Sequence, residues 1–165
     1  MSIESIIEKL EKINQLNESL LELSKDKTER LKNNDLEVFN ELLIKERKHV
    51  QAIDQLETKR VEETDAWFKA NGLDHDEMTI TTIIENIQDQ DQKNRLETVY
   101  ENLVYVLANL KQQEGLNRDL TQQSLQYVEL TLDMLKPNYQ KDLNYHKPKQ
   151  QTNQSTERSV FDSRA

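Results

Sequence analysis

Glu46 and His49 are the two side chains of this sequence whose spacing could do chemistry. A Glu-x-x-His pair on one helix is the half-site of a di-iron helical bundle, which needs a second such pair and two further glutamates on facing helices. Neither His75 nor His146 has a glutamate three positions earlier, so the second half-site is missing. His49 is therefore expected to be an ordinary residue of a helix surface. The acidic stretch "DHDE" at 74–77 lacks the glycine-centred pattern of a calcium loop and reads as a solvated connection. There are no cysteines, which removes disulfides, thiolate nucleophiles and cysteine-bound zinc. With two glycines there is no material for a phosphate-cradling loop either. No catalytic constellation assembles, and the expectation is a non-enzymatic protein without metal or cofactor.

The elements that position these residues are helices. Of the 165 residues, 35% are apolar and 32% charged, too little apolar material for a thick globular core but suited to long helices packed side by side. Ile3, Ile6, Leu10, Ile13 and Leu20 recur at helical spacing, predicting a first helix over 3–31. "KNND" at 32–35 breaks it, with Asp35 as the cap of a second helix from Leu36 to about Ala70. Gly72 falls at the position just past that helix, where a left-handed residue is wanted. Trp67, Phe39 and Phe68 are expected to be packing residues.

"MTITTIIENI" predicts a short helix with Ile80, Ile83, Ile84 and Ile87 on one face. A long last helix follows from about Asp91 to Leu135, stopped by Pro137. Its stripe is apolar at Leu96, Val99, Leu103, Val106 and Leu110, then meets Gln113, Asn117, Leu120 and Ser124. This predicts firm docking in the first half and loose docking after Gly115. The expected fold is thus all-α, an antiparallel bundle of three long helices and one short one with coiled-coil-like packing over residues 1–136. Residues 137–165 are too poor in large apolar side chains to fold alone and predict a flexible tail.

Net charge is −9, and the segment from Pro137 onward contributes +2, which leaves −11 on the body before it. An acidic body repels phosphate backbones, so nucleic acid is not an expected partner. No apolar run approaches the roughly 20 residues needed to cross a bilayer, so no membrane insertion is expected. The amino terminus "MSIESIIEKL" reads as the start of a helix and not as a signal peptide, pointing to a cytoplasmic protein.

The stretch "SLQYVELTLDML" at 124–135 does not fit a helix packed on a single core. Leu125, Val128, Leu132 and Leu135 form one stripe, and Tyr127, Leu130 and Met134 form a second beside it. Together they sweep roughly 220°, whereas one core needs an arc of about 100° or somewhat more. Either both stripes are buried, where three helices meet or in a homodimer seam, or one is reserved for another protein in helix-in-groove fashion. Seven large apolar side chains could expose several hundred Å², enough to mark an interaction site, and adaptable Met134 and amphipathic Tyr127 suit one.

The whole pattern resembles the FlgN family of flagellar export chaperones. The resemblance is carried by "KNNDLEVFNELLIKERKHVQAIDQLETKR", by the short central "MTITTIIENI", by "NRDLTQQSLQYVELTLDML" in the last helix, and by Tyr139 with the terminal "SVFDSRA". It implies a cytoplasmic chaperone that binds the carboxy-terminal region of hook–filament junction proteins of the FlgK and FlgL types. It also implies protection of that cargo from early association, and delivery to an export gate of the FlhA type. The opposing expectation is a homo-oligomeric helical scaffold. On the chaperone reading, Asn117, Leu120, Leu125, Tyr127, Val128, Leu130, Leu132, Met134 and Leu135 are the expected partner-binding residues on the last helix. Tyr139 joins them from the tail, and Tyr127 and Tyr139 are the expected gate contacts.

Overall fold

Each chain reversal in this protein is set by a local polar contact that the sequence spells out. In the computed structural model, which describes residues 2–135, helix α1 (Ile3–Lys32) begins at Ser2, whose side chain accepts from the backbone N–H of Ser5. It ends where Asn34 adopts a left-handed φ of 56°, a region that asparagine tolerates better than most residues. Asp35 then caps α2 (Leu36–Ala70) by accepting from the N–H of Val38 at 3.3 Å. Beyond α2, Gly72 takes a φ of 65°. The N–H of Leu73 reaches back to the carbonyl of Phe68 at 3.0 Å and that of Gly72 to Lys69 at 3.3 Å. This is the two-bond left-handed stop that glycine permits at no steric cost.

A 3-10 turn at His75–Glu77 leads to the short α3 (Ile80–Asn86), capped by Thr79, and then to α4 (Gln90–Leu135), whose first turn is held by Asp89 accepting from Gln92 at 2.9 Å. There is no strand among the described residues. The three long helices and the short one follow the expectation from sequence to within one or two residues, and so do the Asp35 cap and the Gly72 stop.

The chain divides into two compact units, Met1–Gln122 and Gln123–Ala165, with the boundary inside α4. In the first unit α1 and α2 run antiparallel with their backbones close along much of their length. The apolar core lies where the start of α1, the end of α2, α3 and the start of α4 converge. Ile6, Ile7, Leu10, Phe68, Ile83, Leu96 and Val99 are buried there, with Trp67, Leu73, Met78 and Ile84 packed around them. Trp67 meets Phe68 edge-on at 5.5 Å, a favoured aromatic geometry. Arg95 of α4 reaches Glu4 and Glu11 of α1 at 2.5 and 2.9 Å and ties the rim of this core together.

Towards the other end the buried residues change character. Asn14, Asn17, Ser24, Lys27 and Thr28 of α1 are buried, and so is Asn117 of α4. Buried polar groups cost free energy unless bonded, and nearly all of these are bonded. Lys27 Nζ pairs with Glu46 of α2 at 2.6 Å and with Glu114 of α4 at 2.9 Å. Ser24 donates to Glu114 at 2.7 Å, Gln113 donates to Thr28 at 2.5 Å, and Asn117 donates to the Ser24 carbonyl at 2.9 Å. Thr28 donates to the Asn117 side-chain oxygen. The docking of α4 therefore continues through Gly115 to Asn117, by hydrogen bonds instead of apolar side chains, and the loosening expected at that glycine sets in about a turn later, beyond Leu120, where nearly all the described side chains are exposed. Helix α4 is unbroken there, and a Cβ on Gly115 would meet nothing within 4 Å.

Candidate functional site

The described part of the second unit is the last stretch of α4, Gln123–Leu135. Its local sequence keeps it helical: Leu, Gln, Glu and Met are good helix formers, and the Thr131 hydroxyl bonds the Tyr127 carbonyl at 2.8 Å along the helix. Leu125, Val128, Leu132 and Leu135 share one side of it, and Tyr127, Leu130 and Met134 the adjoining side. All seven are exposed: Tyr127 shows 70% of its surface, Met134 and Leu135 each 74%, and even the least open, Leu132, 38%. Burial of both stripes at a three-helix junction is thus not found among the described residues. Large apolar side chains left contiguous and open mark an interaction surface.

The other expected partner-binding residues are placed differently. Leu120 is half-buried in the first unit. Asn117 is only 5% exposed and is engaged with Ser24 and Thr28 of α1, so its amide serves the bundle's own seam and is removed from the free face. The signal that could have revealed this is the run Ser24, Lys27, Thr28 on the buried stripe of α1, which requires polar partners from another helix. Tyr139 and the tail from 137 lie outside the described residues.

The residues first considered for chemistry are engaged structurally. Glu46 pairs with Lys27, and His49 bridges the Ser19 hydroxyl at 2.8 Å and the Lys45 carbonyl at 2.9 Å. Among the described residues no three His, Cys, Asp or Glu side chains gather where they could hold a metal ion. The groove between α1 and α4, of about 420 Å³, is open and lined by polar side chains such as Glu11, Asn14 and Arg95. Lys27 is a buried charge of this unit. Burial alone would push its ammonium pKa down, but the bonds and charges of Glu46 and Glu114 outweigh this and hold it above the usual lysine range. No helix among the described residues is long and apolar enough to cross a membrane.

Comparison with known proteins agrees with the arrangement. The family model described as FlgN protein matches residues 1–153. The chain is similar to a Bacillus subtilis (strain 168) protein described as "Uncharacterized protein YvyG", with 37% identity over 170 positions that cover 100% of both chains. No solved structure matches it.

Proposed function

The chain belongs to the FlgN family, a family of flagellar export chaperones, and from that premise we propose that it binds the carboxy-terminal region of hook–filament junction proteins through the last turns of α4. What supports this reading is the exposure of both apolar stripes over Leu125–Leu135, where seven large apolar side chains on adjoining sides of one helix are all at least 38% exposed. An amphipathic helix of the cargo, laid along Leu125, Val128, Leu130, Leu132 and Leu135 with Tyr127 and Met134 at its edges, would cover the arc. Covering that apolar segment of the cargo keeps it from associating early. Delivery to an FlhA-type gate is assigned to Tyr127 and Tyr139, and the site of action is the cytoplasm. The family is one of chaperones and not of enzymes.

The test is the double substitution Val128→Asp with Leu132→Asp. Both residues are exposed, so the bundle should stay helical, and affinity for a purified FlgK-type protein should fall at least tenfold, about 1.4 kcal/mol. Unchanged affinity in a helical protein would sink the assignment. Solution mass decides the homo-oligomeric reading: a dimer that dissociates on the same substitution means the arc is covered by a second copy.

A further inference from the structure

We propose that in the chain free of cargo the arc over Leu125–Leu135 is covered by the chain's own segment Tyr139–Lys147, which the cargo displaces. This rests on the reading of that arc as the cargo face. Seven large apolar side chains left open to water on one helix invite an apolar cover, and one candidate is tethered beside them. Helix α4 ends at Leu135, and residues 136–165 lie outside the described ones. The first of these residues spell a chain reversal. Lys136-Pro137-Asn138-Tyr139 has proline second and asparagine third, the pair that suits a type II turn because proline presets φ and asparagine tolerates the left-handed region. A chain turned there runs back along α4. The arc is about 15 Å long at 1.5 Å per residue. Tyr139–Lys147 spans from about 13 Å as a helix to about 30 Å extended, enough to run nearly its whole length or more.

Charge selects the same occupant. Residues 123–135 carry Glu129 and Asp133 and no basic side chain. Residues 136–149 carry Lys136, Lys141, Lys147 and Lys149 against Asp142 alone. A second copy of this stretch of α4 would instead set acidic side chains against their own kind, which costs affinity. Tyr139, Leu143 and Tyr145 lie among those lysines, so the segment has apolar groups for the arc and basic ones for its rim. A short tether holds such a segment at an effective concentration in the mM range. Three apolar side chains cannot match the seven of the arc, which leaves the cover weak enough for a cargo helix to displace. A cover in place nine-tenths of the time lowers the apparent cargo affinity about tenfold. Tyr139, assigned above to the gate, is then held down in the empty chain and released when cargo takes the arc. A gate that reads Tyr139 would thus receive loaded chains.

The test uses the full chain. Asn144→Cys gives this cysteine-free protein a unique thiol for an environment-sensitive dye. Its emission should be shifted to the blue in the free chain and return to the red on adding a purified FlgK-type protein. The same return is expected without cargo on Val128→Asp plus Leu132→Asp, whose exposed positions leave the fold in place. In calorimetric titration of the FlgK-type protein, Leu143→Ser plus Tyr145→Ser should tighten binding about tenfold, with circular dichroism as the check on helicity. A dye that reads water in the free chain overturns the cover, and so does a cargo affinity that the Leu143 and Tyr145 substitutions leave unchanged or weaken. Blue emission that appears only at concentrations where the solution mass doubles overturns it in favour of a second copy. Cargo that does not bind at all, with the dye still released by the Val128 and Leu132 substitutions, upholds the contact and overturns the cargo reading.

Discussion

The two ends of the first unit solve the same packing problem with opposite materials. At one end Ile6, Ile7, Leu10, Phe68, Ile83, Leu96 and Val99 exclude water with no polar atom to satisfy. At the other, α4 is held to α1 by Ser24, Lys27, Thr28, Gln113, Glu114 and Asn117. An apolar contact tolerates sliding, because its energy follows area and not direction. A network of directional bonds works in one register only, and if one partner is lost the others are left buried and unsatisfied. The apolar end supplies stability. The polar end fixes where α4 sits, and a buried polar network is at its best in fixing a register.

The sharpest way to break the comparison is at the apolar end. Phe68→Ala should cost about 3–5 kcal/mol, because the side chain is fully buried and its cavity is walled by three helices. Denaturant unfolding followed by the single tryptophan, Trp67, reads that end directly. Next comes Lys27→Ala, expected to cost about 2 kcal/mol by leaving Glu46 and Glu114 to face each other in part-buried sites. Its signature is local: hydrogen exchange should rise over 110–121 while Trp67 emission stays put. Equal loosening at both ends would mean the two regions are one cooperative block.

Alkaline pH should do reversibly what that substitution does permanently. Lys27 has a folded pKa above its ordinary value of 10.5, so its contribution is fully present below pH 10.5 and fades as pH climbs through the folded value. Exchange over 110–121 should therefore quicken above that pH before the apolar end responds. The smallest effect is a gain. Gly115→Ala should stabilise by about 1 kcal/mol, since a Cβ there meets nothing and alanine is the better helix former. A loss of stability would show that the seam needs flexibility at that turn.

What the sequence discloses divides along the same line. Helix limits, the Asp35 cap, the Gly72 stop and the apolar face of α3 were legible because each is a local pattern of a few residues. The arc over Leu125–Leu135 was legible as an excess of apolar residues beyond what one core can use. The polar seam was not, since Ser24 and Asn117 are 93 positions apart and no periodicity links them. Asn117 looked like a site residue because it opens the stretch "NRDLTQQSLQYVELTLDML" that carries the family resemblance, and only its partners on α1 show that it serves the bundle.

The separation between Glu4 and its partner Arg95, 91 positions along the chain, also bears on how the molecule comes into being. The α1–α2 hairpin closes through a tight connection and is within reach of the first 70 residues alone. Every contact of α4 with α1 must wait for a loop of about 90 residues to close, and long loops close late because of the entropy they surrender. On a ribosome, the hairpin is complete before α4 has been made. For that interval the growing chain holds one face of α1 open to water, and part of that face is Ser24, Lys27 and Thr28, side chains that water satisfies at little cost. A seam of polar residues is thus one that a half-synthesised protein can leave open without becoming sticky.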